Sequence, residues 1–154
     1  MKFFISHKQE DEFTALGISR TLENLSIPFY LDLLDNITIR DGKALTDHIR
    51  RKLNDCTDII VVMSSKTLSS QWVPFEIGMA TQKGLPMATF LQEAVRLPDF
   101  LEYWPRLKKA QDIITYVTVK QKQYYGGYEY RADEYMSAND RIDRFYTALK
   151  QQLR

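Results

Sequence analysis

Apolar residues in this chain come in short runs, and the runs alternate with stretches in which apolar positions recur at helical spacing. Phe3-Phe4-Ile5 is a short run between polar neighbours, the pattern of a first strand. Ser6-His7-Lys8-Gln9-Glu10-Asp11 is a polar loop. Ala15, Ile18, Leu22 and Leu25 then share one face of a helix. Residues 27–32 form a second strand, with Pro28 at its start, where a missing N–H does least harm. A long loop, 33–43, ends in Asp41-Gly42. Leu45, Ile49, Leu53 and Cys56 line a second helix whose other face carries Arg50, Arg51 and Lys52.

The unbroken apolar run in 58–63 predicts a strand buried on both faces. Ser69 or Ser70 can cap the helix expected over 71–82. Pro74 falls in its first turn, and Gly84 lies where a C-terminal cap belongs. Residues 86–91 predict a fourth strand. Residues 93–109 predict a loop with one short helix. Ile113-Ile114-Thr115-Tyr116-Val117-Thr118-Val119 is rich in β-branched residues and predicts a fifth strand. Residues 121–136, with Tyr124-Tyr125-Gly126-Gly127-Tyr128, predict an extended or hairpin-like excursion. Ile142, Phe145, Tyr146, Leu149 and Leu153 mark a last helix. This order predicts an α/β fold: a flavodoxin-like three-layer sandwich with a five-stranded parallel sheet, order 2-1-3-4-5, and helices on both faces.

Composition narrows the class. A length of 154 residues suits one domain, taken as 1–154, able to bury a sizeable core. A net charge of +1 gives no reason to expect nucleic acid or an anionic membrane as partner. Cys56 is alone, which excludes an internal disulfide and predicts a small buried group at a helix end. No apolar run approaches the ~20 residues of a membrane span, and the N-terminus lacks a signal-peptide pattern, so a cytoplasmic protein is expected.

Several chemistries are excluded by missing motifs. No G-x-G-x-x-G follows the first strand, and no G-x-x-x-x-G-K-[ST] occurs, against dinucleotide-binding oxidoreductases and P-loop enzymes. A phosphoacceptor receiver needs an acidic cluster after the first strand and an Asp ending the third; here Ser6-His7 and Met63-Ser64-Ser65 stand there. His7 and His48 are the only histidines and form no metal-binding pair. The G-x-S-x-G elbow of serine hydrolases is absent.

What remains is a cleft at the carboxyl edge of the sheet, where open α/β sheets bind ligands. Ser6 and His7 enter it from the first loop, Asp32 and Asp35 from the second, and Trp72 and Glu76 from the third helix. Trp72 and Glu76 are four apart and share a helical face. With no Arg or Lys cluster, this lining suits a neutral or zwitterionic nucleotide better than a polyanion. The structural alternative makes Trp72 a packing aromatic and Glu76 a carboxylate favoured by the helix dipole.

The order of these segments resembles the Toll/interleukin-1 receptor (TIR) domain family. Phe4-Ile5-Ser6-His7 with Glu10-Asp11 is similar to the family's opening box. Phe29-Tyr30-Leu31-Asp32 and the loop to Ile39-Arg40-Asp41-Gly42-Lys43-Ala44-Leu45 resemble its second box and BB loop, here a few residues long. Ser64-Ser65, then Ser69 through Glu76, resembles the helix signature of Trp, three residues, then Glu. The match is good over about 1–92 and rests on element order beyond it.

The resemblance implies one of two functional classes. Enzymatic members, common in bacteria and plants, cleave the nicotinamide–ribose bond of NAD⁺, and many bacterial ones cyclise or conjugate the ADP-ribose as an antiphage signal. Adaptor members only assemble with other TIR domains. Glu76 falls at the enzymes' catalytic glutamate and Trp72 at their ligand-side aromatic, so a bacterial-type stand-alone enzyme is the expectation. Ser6, His7, Asp32, Asp35 and Trp72 are then its substrate-binding residues. NAD⁺ is substrate, with no separate cofactor and no metal. Self-association through TIR–TIR contacts and a separate trigger or effector protein are the implied partnerships. A non-catalytic interaction module and a nucleoside or nucleotide glycosidase are the alternatives.

Overall fold

The computed structural model describes residues 1–31, 41–92, 95–125 and 136–153, the side chains of 68, 124 and 125 excepted. Five strands form one parallel sheet in the order β2-β1-β3-β4-β5: β1 (Phe3–Ser6), β2 (Phe29–Leu31), β3 (Asp58–Met63), β4 (Met87–Leu91) and β5 (Arg106–Leu107). Helices α1 (Glu12–Asn24), α2 (Gly42–Asn54), α3 (Trp72–Gln82), α4 (Ala110–Tyr125) and α5 (Ala138–Gln152) cover it. α1 packs on α4 and α4 on α5, while α2 packs on α3, as expected of two helical layers either side of the sheet. The strand order and the parallel pairing match the sequence expectation.

Every residue of β1 and β3 is buried, which is why these strands show apolar runs rather than alternation. Phe3, Phe4, Ile5 and Ile59–Val62 form the centre of the core. Cys56 lies buried just past the end of α2.

The helix ends follow their local chemistry. Asp41 caps α2 by accepting from the Lys43 N–H at 2.9 Å. Ser137 and Asp140 form a capping box on α5. α3 closes on Gly84 at φ +70°, with the Gly84 N–H donating to Thr81 O and the Leu85 N–H to Ala80 O. α1 closes the same way on Ser26, at φ 56°, a left-handed position held here by a residue with a Cβ.

The fifth strand is where the sequence expectation fails. Residues 113–119 are helical, inside α4, and β5 is the two-residue edge strand Arg106–Leu107 beside Thr89 and Phe90. The β-branched run carries strand propensity, but Ile113, Tyr116, Val117 and Lys120 are buried at three- and four-residue spacing, and packing on α1 and α5 decides the outcome. α4 continues to Tyr125, so 121–125 is helix rather than the start of a hairpin, and 126–135 lie outside the described residues. The short helical turn expected in 93–109 is present at Asp99–Leu101. Among the described residues, no helix is long and apolar enough to cross a membrane.

Two buried polar clusters brace the sheet. At the amino end of β3, Asp58 is fully buried and accepts from the Tyr116 hydroxyl at 2.7 Å and from the Lys120 ammonium. Burial pushes the Lys120 ammonium below its ordinary range, and Asp58 opposes that shift. At the carboxyl end, buried Asp11 accepts from Ser64 Oγ and Thr67 Oγ1, both at 2.7 Å. The second cluster ties the loop after β1 to the loop after β3, the two loops that flank the candidate site.

Candidate functional site

β1 delivers Ser6 to the carboxyl edge of the sheet, and α3 begins at the same edge after the Ser64–Ser70 connection. The N-cap of α3 is Gln71, without a side-chain cap bond, and Ser70 Oγ, one residue earlier, accepts from the Val73 N–H at 3.3 Å. Pro74 sits in the first helical turn, as its missing N–H requires.

α3 turns Val73, Glu76, Ile77 and Ala80 toward the sheet. Glu76 therefore occupies a core-facing position and is only 1% exposed. A carboxylate there is costly unless hydrogen-bonded. Ser6, itself fully buried, donates its hydroxyl to Glu76 Oε2 at 2.5 Å. His7, the next residue, is also buried.

Trp72 lies one turn before Glu76 but is 37% exposed, overhanging the edge with its ring edge-on to Phe75 at 5.8 Å and 84°. The two residues share a helix face, yet the carboxylate is enclosed and the indole open. The sequence-selected residues thus form a buried pair, Ser6 and Glu76, beside an exposed aromatic rim. Asp32 and Asp35 lie outside the described residues.

The roles of Asp11, Ser64 and Thr67 as supports of the site carry no sequence signal of their own. Asp11 belongs to the opening box and Ser64 to the segment before α3, but their meeting depends on β1 and β3 being neighbours. Lys8 adds a surface link from the first loop to Ser69 Oγ at 3.4 Å and pairs with Glu10 at 3.1 Å. A backbone hydrogen bond, then Lys8, holds the Glu10 carboxyl below its ordinary range. Among the described residues no cluster of His, Cys, Asp and Glu could hold a metal ion.

Comparison with known proteins bears on the fold and the family. Among solved structures, the chain superposes on a 2-deoxyribosyltransferase from Bacillus psychrosaccharolyticus at TM-score 0.60 and 10% identity, covering 73% of this chain and 90% of that one. It superposes on the TIR domain of a Toll-related receptor from Hydra magnipapillata at TM-score 0.57 and 14% identity, covering 84% and 95% of the two chains. A metazoan TIR-STING receptor from C. gigas gives TM-score 0.59 at 22% identity, over 80% of this chain and 45% of that one. At these identities the likeness is one of fold. No curated protein matches the chain. The TIR domain family model matches residues 3–125, most of the 154, and the chain belongs to the TIR domain family.

Proposed function

We propose that this protein is an NAD⁺-consuming TIR enzyme that cleaves the nicotinamide–ribose bond, with Glu76 as its catalytic carboxylate. The observation that carries this reading is a carboxylate on the core-facing stripe of α3, 1% exposed and bonded to the Ser6 hydroxyl at 2.5 Å. Desolvated, anchored carboxylates at a sheet's carboxyl edge are what an active site needs and what packing alone disfavours.

The chemistry requires little else. Loss of nicotinamide from NAD⁺ develops oxocarbenium character on the ribose, and a fixed carboxylate stabilises that charge. Nicotinamide departs as a neutral molecule, so no general acid is needed. Trp72, 37% exposed, offers its indole to the substrate, and His7, next to Ser6 in the chain, a polar group. Ser6 and His7 at the β1 edge, with Asp32 and Asp35 of the second loop, complete the proposed substrate-binding set. Self-association through TIR–TIR contacts, with a neighbouring BB loop completing the site, makes activity rise with protein concentration. A separate trigger or effector acts with the enzyme, in an antiphage setting.

Incubating the concentrated protein with NAD⁺ and resolving products by chromatography and mass spectrometry tests the proposal. Nicotinamide with ADP-ribose, a cyclic isomer or a conjugate is expected, with specific activity falling on dilution. Turnover of nucleosides in place of NAD⁺ would favour a glycosidase. A second reading, an interaction module without catalysis, draws on the apolar surface left open by Phe13, 84% exposed, and by Trp72 and Phe75. It predicts no NAD⁺ loss at any concentration and intact binding to another TIR domain.

A further inference from the structure

A cleft of about 590 Å³ runs between α2 and α3, and Ser6, His7 and Glu76 take no part in its lining. Its volume lies in the range of small-molecule sites, roughly 300–1,000 Å³. No lining residue is acidic. One wall is the ring of Phe75, 38% exposed and held edge-on by Trp72, with the soft side chain of Met79 one turn further on. Asn54 and Gln82 bring side-chain amides, each able to donate and to accept.

The two cations of the cleft are not equivalent. Lys83 spends its ammonium on the carbonyls of Leu53, Asn54 and Cys56, at 2.8, 2.7 and 3.1 Å, and so locks the end of α2. Arg50 is 60% exposed and meets Asp47 only at 3.5 Å, a surface pair of little strength. Its planar fork is suited to an oxyanion.

We propose that this cleft is a second ligand site, for a planar aromatic molecule bearing one anionic group, with a nucleoside monophosphate as the match in size. The base stacks on Phe75, Asn54 and Gln82 meet its edge, and Arg50 takes the phosphate. The proposal does not rest on NAD⁺ cleavage at Glu76. It couples to that site through Phe75, which precedes Glu76 and touches Trp72.

The chain has two tryptophans: Trp72 on the exposed rim and Trp104, which is buried. Trp72 emission therefore reports on Phe75 as well as on the rim of the Glu76 site, and the Arg50 and Phe75 variants assign the signal to the cleft. The test titrates the Glu76→Gln protein with AMP, adenosine and orthophosphate, following emission and, in parallel, calorimetric heat. AMP is expected to give a saturable change, with adenosine and orthophosphate each about ten-fold weaker or more. Arg50→Ala should weaken AMP by about ten-fold, and Phe75→Ala should weaken it more than Phe75→Leu. Absence of saturable AMP binding, or full affinity in Arg50→Ala, overturns the proposal. AMP binding that depends on Arg50 in a protein that never consumes NAD⁺ would remove the enzymatic reading and leave this site standing.

Discussion

The Ser6 hydroxyl donates to Glu76 Oε2 across 70 positions of sequence, joining the last residue of β1 to the second turn of α3. Both partners are buried, so the bond fixes one carboxylate oxygen where water does not compete. Ser6→Ala should lower kcat by up to about 100-fold, because a misplaced catalytic group loses its orientation, and raise KM to the extent that Ser6 also meets the substrate. It should also cost ~1–3 kcal/mol of stability, since it removes a buried hydrogen-bond partner. Steady-state kinetics separate the two parameters, and an unchanged kcat would show that Ser6 does not position Glu76.

Tyr146 connects α5 to the sheet by accepting the Met87 N–H at 2.6 Å. Burial pushes its phenol well above the ordinary value of 10.0. A group with a raised folded pKa contributes stability that is fully present below its unfolded pKa and is lost as pH rises above it. Stability should therefore fall as pH passes about 10. Tyr146→Phe should flatten that part of the profile while costing ~1–3 kcal/mol at neutral pH for the unpartnered N–H. Denaturant melts of both proteins between neutral and alkaline pH check the slope.

Lys120 and Asp58 form a buried ion pair supported by Tyr116. Lys120→Met should destabilise by ~3–5 kcal/mol, because Asp58 is left as a buried charge. Adding Asp58→Asn should recover a large part of the loss. Urea midpoints of the single and double variants decide it, and an equal loss in both would contradict the pairing.

Ser26 closes α1 at φ 56°, where a side chain is strained. Its N–H donates to Glu23 O and the following Ile27 N–H to Leu22 O, a geometry that glycine enters at no steric cost. Ser26→Gly is expected to raise stability by ~0.5–1 kcal/mol, which thermal melting can resolve.

How much of the fold and site is legible in the sequence depends on how local each signal is. The strands of β1, β3 and β4 and the helices α1, α2, α3 and α5 follow from runs and periods contained in their own residues. The cap at Gly84 and the first-turn position of Pro74 are equally local. The segment 113–119 is ambiguous in sequence because its β-branched content favours a strand while its burial period, Ile113, Tyr116, Val117, Lys120, is that of a helix. A two-residue strand such as Arg106–Leu107 has too few positions to show any period. Of the candidate site residues, Ser6, Trp72 and Glu76 are named by their motifs. That Glu76 faces the core while Trp72 overhangs the edge depends on how α3 sits on the sheet. The Asp11 link to Ser64 and Thr67 needs β1 and β3 side by side.

Under the proposed function, nicotinamide–ribose cleavage depends on the buried Glu76 carboxylate. The most direct measurement compares nicotinamide release from NAD⁺ by the wild-type chain and by Glu76→Gln, both at high protein concentration, with circular dichroism confirming an intact fold. Release by the wild type and its loss by about 100- to 1,000-fold in Glu76→Gln is the predicted result, the scale of removing a principal electrostatic group. Equal release by the two proteins, or none from the wild type at any concentration, would contradict it.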